Sequence, residues 1–265
     1  MLSALARTSV LMFGLLCSTL ASAQGFSTLV SPPRFEDTTK PGTTYRNVIE
    51  ITNVSGTQSH FTLKTADWAI DPQGSAVFAD ALTPGSCRPW VGIEAPDITI
   101  AANAKRRYRF EVVVPPDAPS GECRFAILLE GDPEEVGGDV AMPVAGRIGI
   151  IVYLAIGDAA PQLAVTGTQA QAVAGRVVPL LQVRNTGNAH GRLEGLVDGV
   201  DSRGRKFVLA PSNQPILPGE TRVVTLSPQG DDADTPAPAI AYPLQLKGRL
   251  EWGAQRLDID TVVAQ

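Results

Sequence analysis

Residues 140–154 read V-A-M-P-V-A-G-R-I-G-I-I-V-Y-L. The even-numbered positions Val140, Met142, Val144, Ile148, Ile150, Val152 and Leu154 are bulky and apolar, with Gly146 alone interrupting the row. A period of two sets these side chains on one face of a strand, yet about 5 or 6 residues suffice for an ordinary strand to cross its sheet. Pro143 has no N–H to give to an interior ladder, which places the stretch at a sheet edge. An apolar edge invites aggregation. Two readings follow. The edge is lent to a partner by strand addition, with main-chain bonds giving affinity and alternate side chains filling pockets, or a long core strand runs on into an interdomain linker.

The rest of the chain is all-β in character. Its 25 glycines and 21 prolines punctuate short alternating runs and leave no long helical period. Residues 105–114 put Arg106, Tyr108, Phe110, Val112 and Val114 on one face and Lys105, Arg107, Arg109 and Glu111 on the other. After the Pro115-Pro116 break, Cys123, Phe125, Ile127 and Leu129 share an inward face. Further strands are expected over 45–53, 60–65, 89–93, 178–185, 222–226, 244–252 and 255–263. A solvated acidic loop is expected over 131–139, and an exposed loop with the acidic run 231–234 over 227–243. The run 178–185 followed by T-G-N echoes 49–53 followed by V-S-G, so two similar modules stand in tandem. Strands at this spacing predict β-sandwiches.

Arg7, an apolar run over 10–16 and the small-x-small sequence Ala21-Ser22-Ala23 predict a signal peptide over 1–23. Leu16 before Cys17 argues against lipidation. No later run reaches the roughly 18 apolar residues a spanning helix needs, so an exported protein without membrane insertion is expected. The remainder is long enough for two modest cores, which are assigned to 24–157 and 158–265. Loss of Arg7 with the leader takes the net charge from −5 to −6, against nucleic-acid binding by phosphate neutralisation. Cys87 and Cys123 remain, and an oxidising compartment favours joining them. The pairing stabilises by about 3 to 4 kcal/mol in the chain-entropy model.

Catalytic signals are missing. His60, in a strand, and His190, in a turn, have no nucleophile motif beside them and read as structural. There is no phosphate-cradling glycine loop, and neither histidine stands at metal-ligand spacing from a cysteine. No cofactor, no metal and no enzymatic activity are expected. Asn53-Val54-Ser55 matches a glycosylation acceptor but reads as turn chemistry.

Several ordered segments carry a resemblance: S-P-P-R-F-E-D (31–37), K-P-G (40–42), I-T-N (51–53), A-D-W (66–68), R-P-W-V (88–91), V-P-P-D-A-P-S-G-E-C-R-F (114–125) and R-I-G-I-I-V-Y (147–153). In this order the first domain resembles the periplasmic chaperones of the chaperone–usher pilus pathway. The resemblance implies two immunoglobulin-like β-sandwich domains in tandem, set at an angle about a subunit-binding cleft. It also implies a periplasmic location, a pilin-like fibre subunit and an outer-membrane usher as partners, and a self-capping dimer as a possible free form. Such a chaperone lends its long strand to an incomplete pilin, here through Val140, Met142, Val144, Ile148 and Ile150. It anchors the pilin's terminal carboxylate with two basic residues: Arg34 matches the first, and Arg147 is the candidate for the second. The chain departs from the family in using arginine for lysine, in Pro143 and Gly146, and in Tyr153-Leu154-Ala155 where Tyr-Arg-Pro is usual. The alternative is a tandem immunoglobulin-like binding or adhesion module of the cell envelope.

Overall fold

The structure, a computed structural model, describes residues 27–136, 142–173, 175–230 and 238–265, with 134–136 and 142–144 as backbone only. The leader, Val140 and the acidic run 231–234 lie outside the described residues. Two immunoglobulin-like β-sandwiches follow one another, and among the described residues the only helical turn is a short 3-10 turn at Arg88–Trp90.

The first domain comprises β1 (Thr28–Ser31), β2 (Arg34–Thr39), β3 (Thr44–Asn53), β4 (Ser59–Ile70), β5 (Ala76–Ala79), β6 (Val91–Ile93), β7 (Asp97–Ile100), β8 (Lys105–Val113), β9 (Gly121–Gly131), β10 (Glu134–Val136), β11 (Met142–Val144) and β12 (Arg147–Ile156). One sheet has the order β1-β3-β8-β6. The facing sheet has the order β2-β12-β9-β4-β5, with β7 beside the start of β4. The core between them holds Tyr108, Phe110 and Val112 from one sheet and Phe125, Ile127, Ile150 and Val152 from the other, as the alternation of β8 and β9 requires. The Cys87–Cys123 disulfide is formed, with a Cα–Cα distance of 5.5 Å.

The second domain comprises β13 (Leu163–Val173), β14 (Arg176–Asn185), β15 (Glu194–Asp201), β16 (Lys206–Pro211), β17 (Thr221–Pro228), β18 (Leu244–Trp252) and β19 (Gln255–Val263). β17 serves both layers: Thr221–Thr225 pair with β14 and Leu226–Pro228 with β16. The sheet thereby folds round one apolar core that includes Leu181, Leu209, Leu226 and Leu246.

The echo between the modules has a physical basis in two buried asparagines. Asn53 Nδ2 donates to the carbonyls of Thr57, Ile100 and Ala101, and its Oδ1 accepts from the Ser55 N–H and hydroxyl. Asn185 Nδ2 donates to the carbonyls of Ala189 and Ile216, and its Oδ1 accepts from the N–H groups of Gly187 and Gln162. Each buried side chain thus ties together a loop's backbone groups where its strand ends. Both asparagines are fully buried, which makes Asn53 a turn-former in the folded chain.

Two expectations need correction. The stretch from 140 to 154 is not one strand: β11 and β12 are separate, and β11 turns back on β10 with Pro143 opposite Glu135. The break falls at Ala145-Gly146, between Val144 opposite Glu134 in one ladder and Arg147 opposite Glu130 in the other. The acidic segment after Gly131 accordingly contains a strand, β10, and is not loop throughout.

Candidate functional site

β12 has one covered flank and one that is half open. β9 pairs with it throughout, from Arg147 opposite Glu130 to Ile156 opposite Gly121. On the other flank β2 runs parallel from Arg34, opposite Ile151, to Thr39, opposite Ile156. The chain enters β2 from the opposite sheet, crossing at Pro32 and Pro33. The Pro33 carbonyl takes the Ile151 N–H at 3.2 Å. Ahead of that bond no described strand lies along this flank.

The antiparallel alternation then fixes which groups are free. The Gly146 carbonyl accepts the Gly131 N–H at 3.0 Å, so Gly146, Ile148 and Ile150 exchange bonds with β9. The main-chain groups of Arg147 and Gly149 point, like that of Ile151, to the open flank.

Side chains on β12 split between two surfaces. Ile150 is completely buried in the chain's own core, and Ile148 is partly buried against it. Ile150 is therefore not available to a partner, which corrects its place in the expected donor row: the sandwich closes over it. Ile148 is the last described side chain of that row. Met142 and Val144 are described as backbone only, and Val140 lies outside the described residues.

The outer face of β12 is lined by a second apolar cluster. Ala66, Trp68, Ala126, Leu128 and Tyr153 pack there with Leu217 of the second domain. The hairpin of β4 and β5 folds across this face and carries the Phe78 ring onto Gly149, where a Cβ would come within 2.3 Å of the ring. At its tip the hairpin meets the second domain, for Arg222 donates to the carbonyls of Asp71 and Ile70 at 3.3 and 3.4 Å.

Beyond the open flank lies a charged cleft of about 380 Å³ between the domains, lined by Glu36, Glu122, Tyr153, His190, Arg192 and Trp252 among others. Arg34 and Glu36 stand two apart on β2 and so share its outer face. Glu36 Oε1 receives Arg34 Nε at 2.6 Å and Arg192 Nη2 at 3.2 Å, with His190 Nε2 at 3.7 Å. His190 first, then Arg192 and Arg34, hold the Glu36 carboxyl down to about 2. On its other side His190 meets the buried Glu122 at 2.5 Å. Burial works against the charged imidazole, but Glu122 and Glu36 outweigh it and raise its pKa.

No protein-family model matches the chain, and no curated protein matches it. Solved structures do. The chain is similar to the YadV chaperone at 11% identity, over 89% of this chain and 99% of that one, with a TM-score of 0.48. It is similar to a chain of the CsuC–CsuE chaperone–tip adhesion subunit pre-assembly complex from archaic chaperone-usher Csu pili of Acinetobacter baumannii at 12% identity, over 90% and 99% of the chains, with a TM-score of 0.47. A third match is a chain of the Salmonella enterica SafA pilin in complex with the SafB chaperone, at 13% identity over 90% and 98%, with a TM-score of 0.45.

Of the two arginines singled out in the sequence, Arg34 lies where the open flank ends. Arg147 stands four residues earlier on β12, about 13 Å along the strand from the level of Arg34, and is held by Glu130 at 2.8 Å. The structure does not bring these two together on a shared acid. It joins Arg34 instead to Glu36, His190 and Arg192, which the sequence reading did not select. The available signal was the alternation of Arg34 with Glu36 in R-F-E-D; nothing local pointed to the second-domain partners.

Proposed function

We propose that this protein is a non-enzymatic periplasmic chaperone that caps pilus-type fibre subunits by donor-strand complementation and delivers them to an outer-membrane usher. One observation carries this reading: among the described residues no strand pairs with β12 on the flank beside Arg147 and Gly149, up to the point where β2 begins at Arg34. A strand added there parallel to β12 is collinear with β2, and its C-terminus meets the first residue of β2. Its last carboxylate then faces the Arg34 guanidinium, a charge-assisted contact that fixes register. Antiparallel addition brings an amino terminus to the same arginine and is disfavoured.

The apolar row continues the argument outward. Ile148 at the rim of the core, with Val140, Met142 and Val144 ahead of it in sequence, supplies alternate side chains for a subunit's open groove once β11 exchanges β10 for the subunit. Burial of each contributes about 1.5 to 3 kcal/mol before ordering costs.

Co-expression with a fibre subunit encoded nearby tests the proposal. A one-to-one complex is expected, and Arg34→Ala or Val144→Glu should each reduce its yield at least tenfold. A complex untouched by both substitutions overturns the mechanism. A glycan-array hit with no recoverable subunit favours a cell-envelope binding module instead.

A further inference from the structure

The anchoring arginine is already engaged by the chain itself. Arg34 Nε lies 2.6 Å from Glu36 Oε1, so an incoming carboxylate must draw Arg34 away from an internal one. Breaking such a pair is costly when the acid is left with no counter-charge in a partly buried place. Glu36 is not left so, because Arg192 Nε and Nη2 lie 3.3 and 3.2 Å from the same oxygen and His190 Nε2 lies 3.7 Å from it. Arg192 is held in place independently, by donation from Nη1 to the Asn213 carbonyl at 2.8 Å and by its position over the Tyr153 ring at 5.8 Å. It is nearly buried, whereas Arg34 is about half exposed and free to turn toward the open flank.

We propose that Glu36 is a resident rival for Arg34, and that Arg192 of the second domain sets the strength of that rivalry by holding Glu36 when Arg34 is handed to an incoming chain's terminal carboxylate. This rests on the strand-addition reading and adds to it a specificity device: recognition of a free carboxyl terminus by ion exchange, controlled from the other domain. Arg192 is a positioning residue here, acting on the ligand only through Glu36.

The test uses the whole protein and two fluorescent peptides of alternating threonine and valine, one ending in a free carboxylate and one in an amide, with binding followed by anisotropy. The ratio of the two affinities reads the terminal charge alone, which a merely structural effect leaves unmoved. Glu36→Gln should raise the preference for the acid about fivefold, and Arg192→Gln should lower it about as much. In the Glu36→Gln background Arg192→Gln should have no further effect. Glu36→Ala repeats the comparison should the glutamine variant fail to fold. An unchanged or lowered preference in the Glu36 variants overturns the proposal, as does an equal effect of Arg192→Gln in both backgrounds. Failure of both peptides to bind the unaltered protein brings down the strand-addition reading and this proposal together; binding of both with an unmoved preference brings down this proposal alone.

Discussion

The rings of Tyr153 in the first domain and His190 in the second stack with centroids 3.8 Å apart and planes 29° off parallel. This contact places the imidazole between two carboxylates of the first domain, Glu122 and Glu36, with Arg192 beside them. The domain interface is therefore charged, partly buried and titratable.

Stability should fall on both sides of a pH window. Glu36 is lowered from 4.5 to about 2, so its contribution is present above about 4.5 and is lost as pH falls through about 2. His190 is raised from 6.5, so its contribution is complete below about 6.5 and is lost as pH rises through the higher folded value. Thermal unfolding from pH 2 to 9 should show a plateau between these limits. His190→Gln should flatten the alkaline limb; an alkaline limb of unchanged slope in that variant assigns the loss to another group.

Gly149→Ala should destabilise the first domain by about 1 to 3 kcal/mol, because its Cβ meets the Phe78 ring and the ring must shift. In a Phe78→Ala background the same substitution should cost close to nothing. Urea denaturation of the four proteins measures the coupling. Additive costs show that the ring is not what restricts position 149.

Replacing Cys87 and Cys123 with serine should cost about 3 to 4 kcal/mol, since their bond closes a separation of 36 residues. Reductant should lower the melting temperature of the native protein and leave that of the double variant where it was.

Asn53→Ala and Asn185→Ala should each cost about 1 to 3 kcal/mol, because each removes a fully buried amide that serves backbone groups on both sides of a loop. Hydrogen exchange should show the loops at 54–58 and 186–190 opening first. Protection unchanged at either loop counts against the capping role of its asparagine.

Much of this architecture was legible because alternation is a direct record of which face is buried. β8 and the Cys123 face of β9 follow the pattern residue for residue, and β18 and β19 have the bounds their alternation indicates. β2 was hidden because only Phe35 of its first five residues is buried, so it carries no repeat to read. The short β5 and the acidic β10 gave equally little. Ala126 and Leu128 lie on the face of β9 opposite Cys123 and are nevertheless buried. A strand covered on both faces loses its alternation, and the cover here comes from elsewhere in the chain. The cleft was illegible for the same reason, with Arg192 standing 156 residues from Glu36.

The β4–β5 hairpin grips the molecule at both ends, with Phe78 wedged over Gly149 and Asp71 fastened to Arg222 of the far domain. Beside it Leu217 of the second domain packs into the apolar cluster with Trp68, a second link between the domains in addition to the ion cluster. Salt weakens charge contacts and leaves apolar wedges nearly untouched. High ionic strength should therefore loosen the ion cluster and spare the Leu217 contact, leaving the domains joined but less stiffly held.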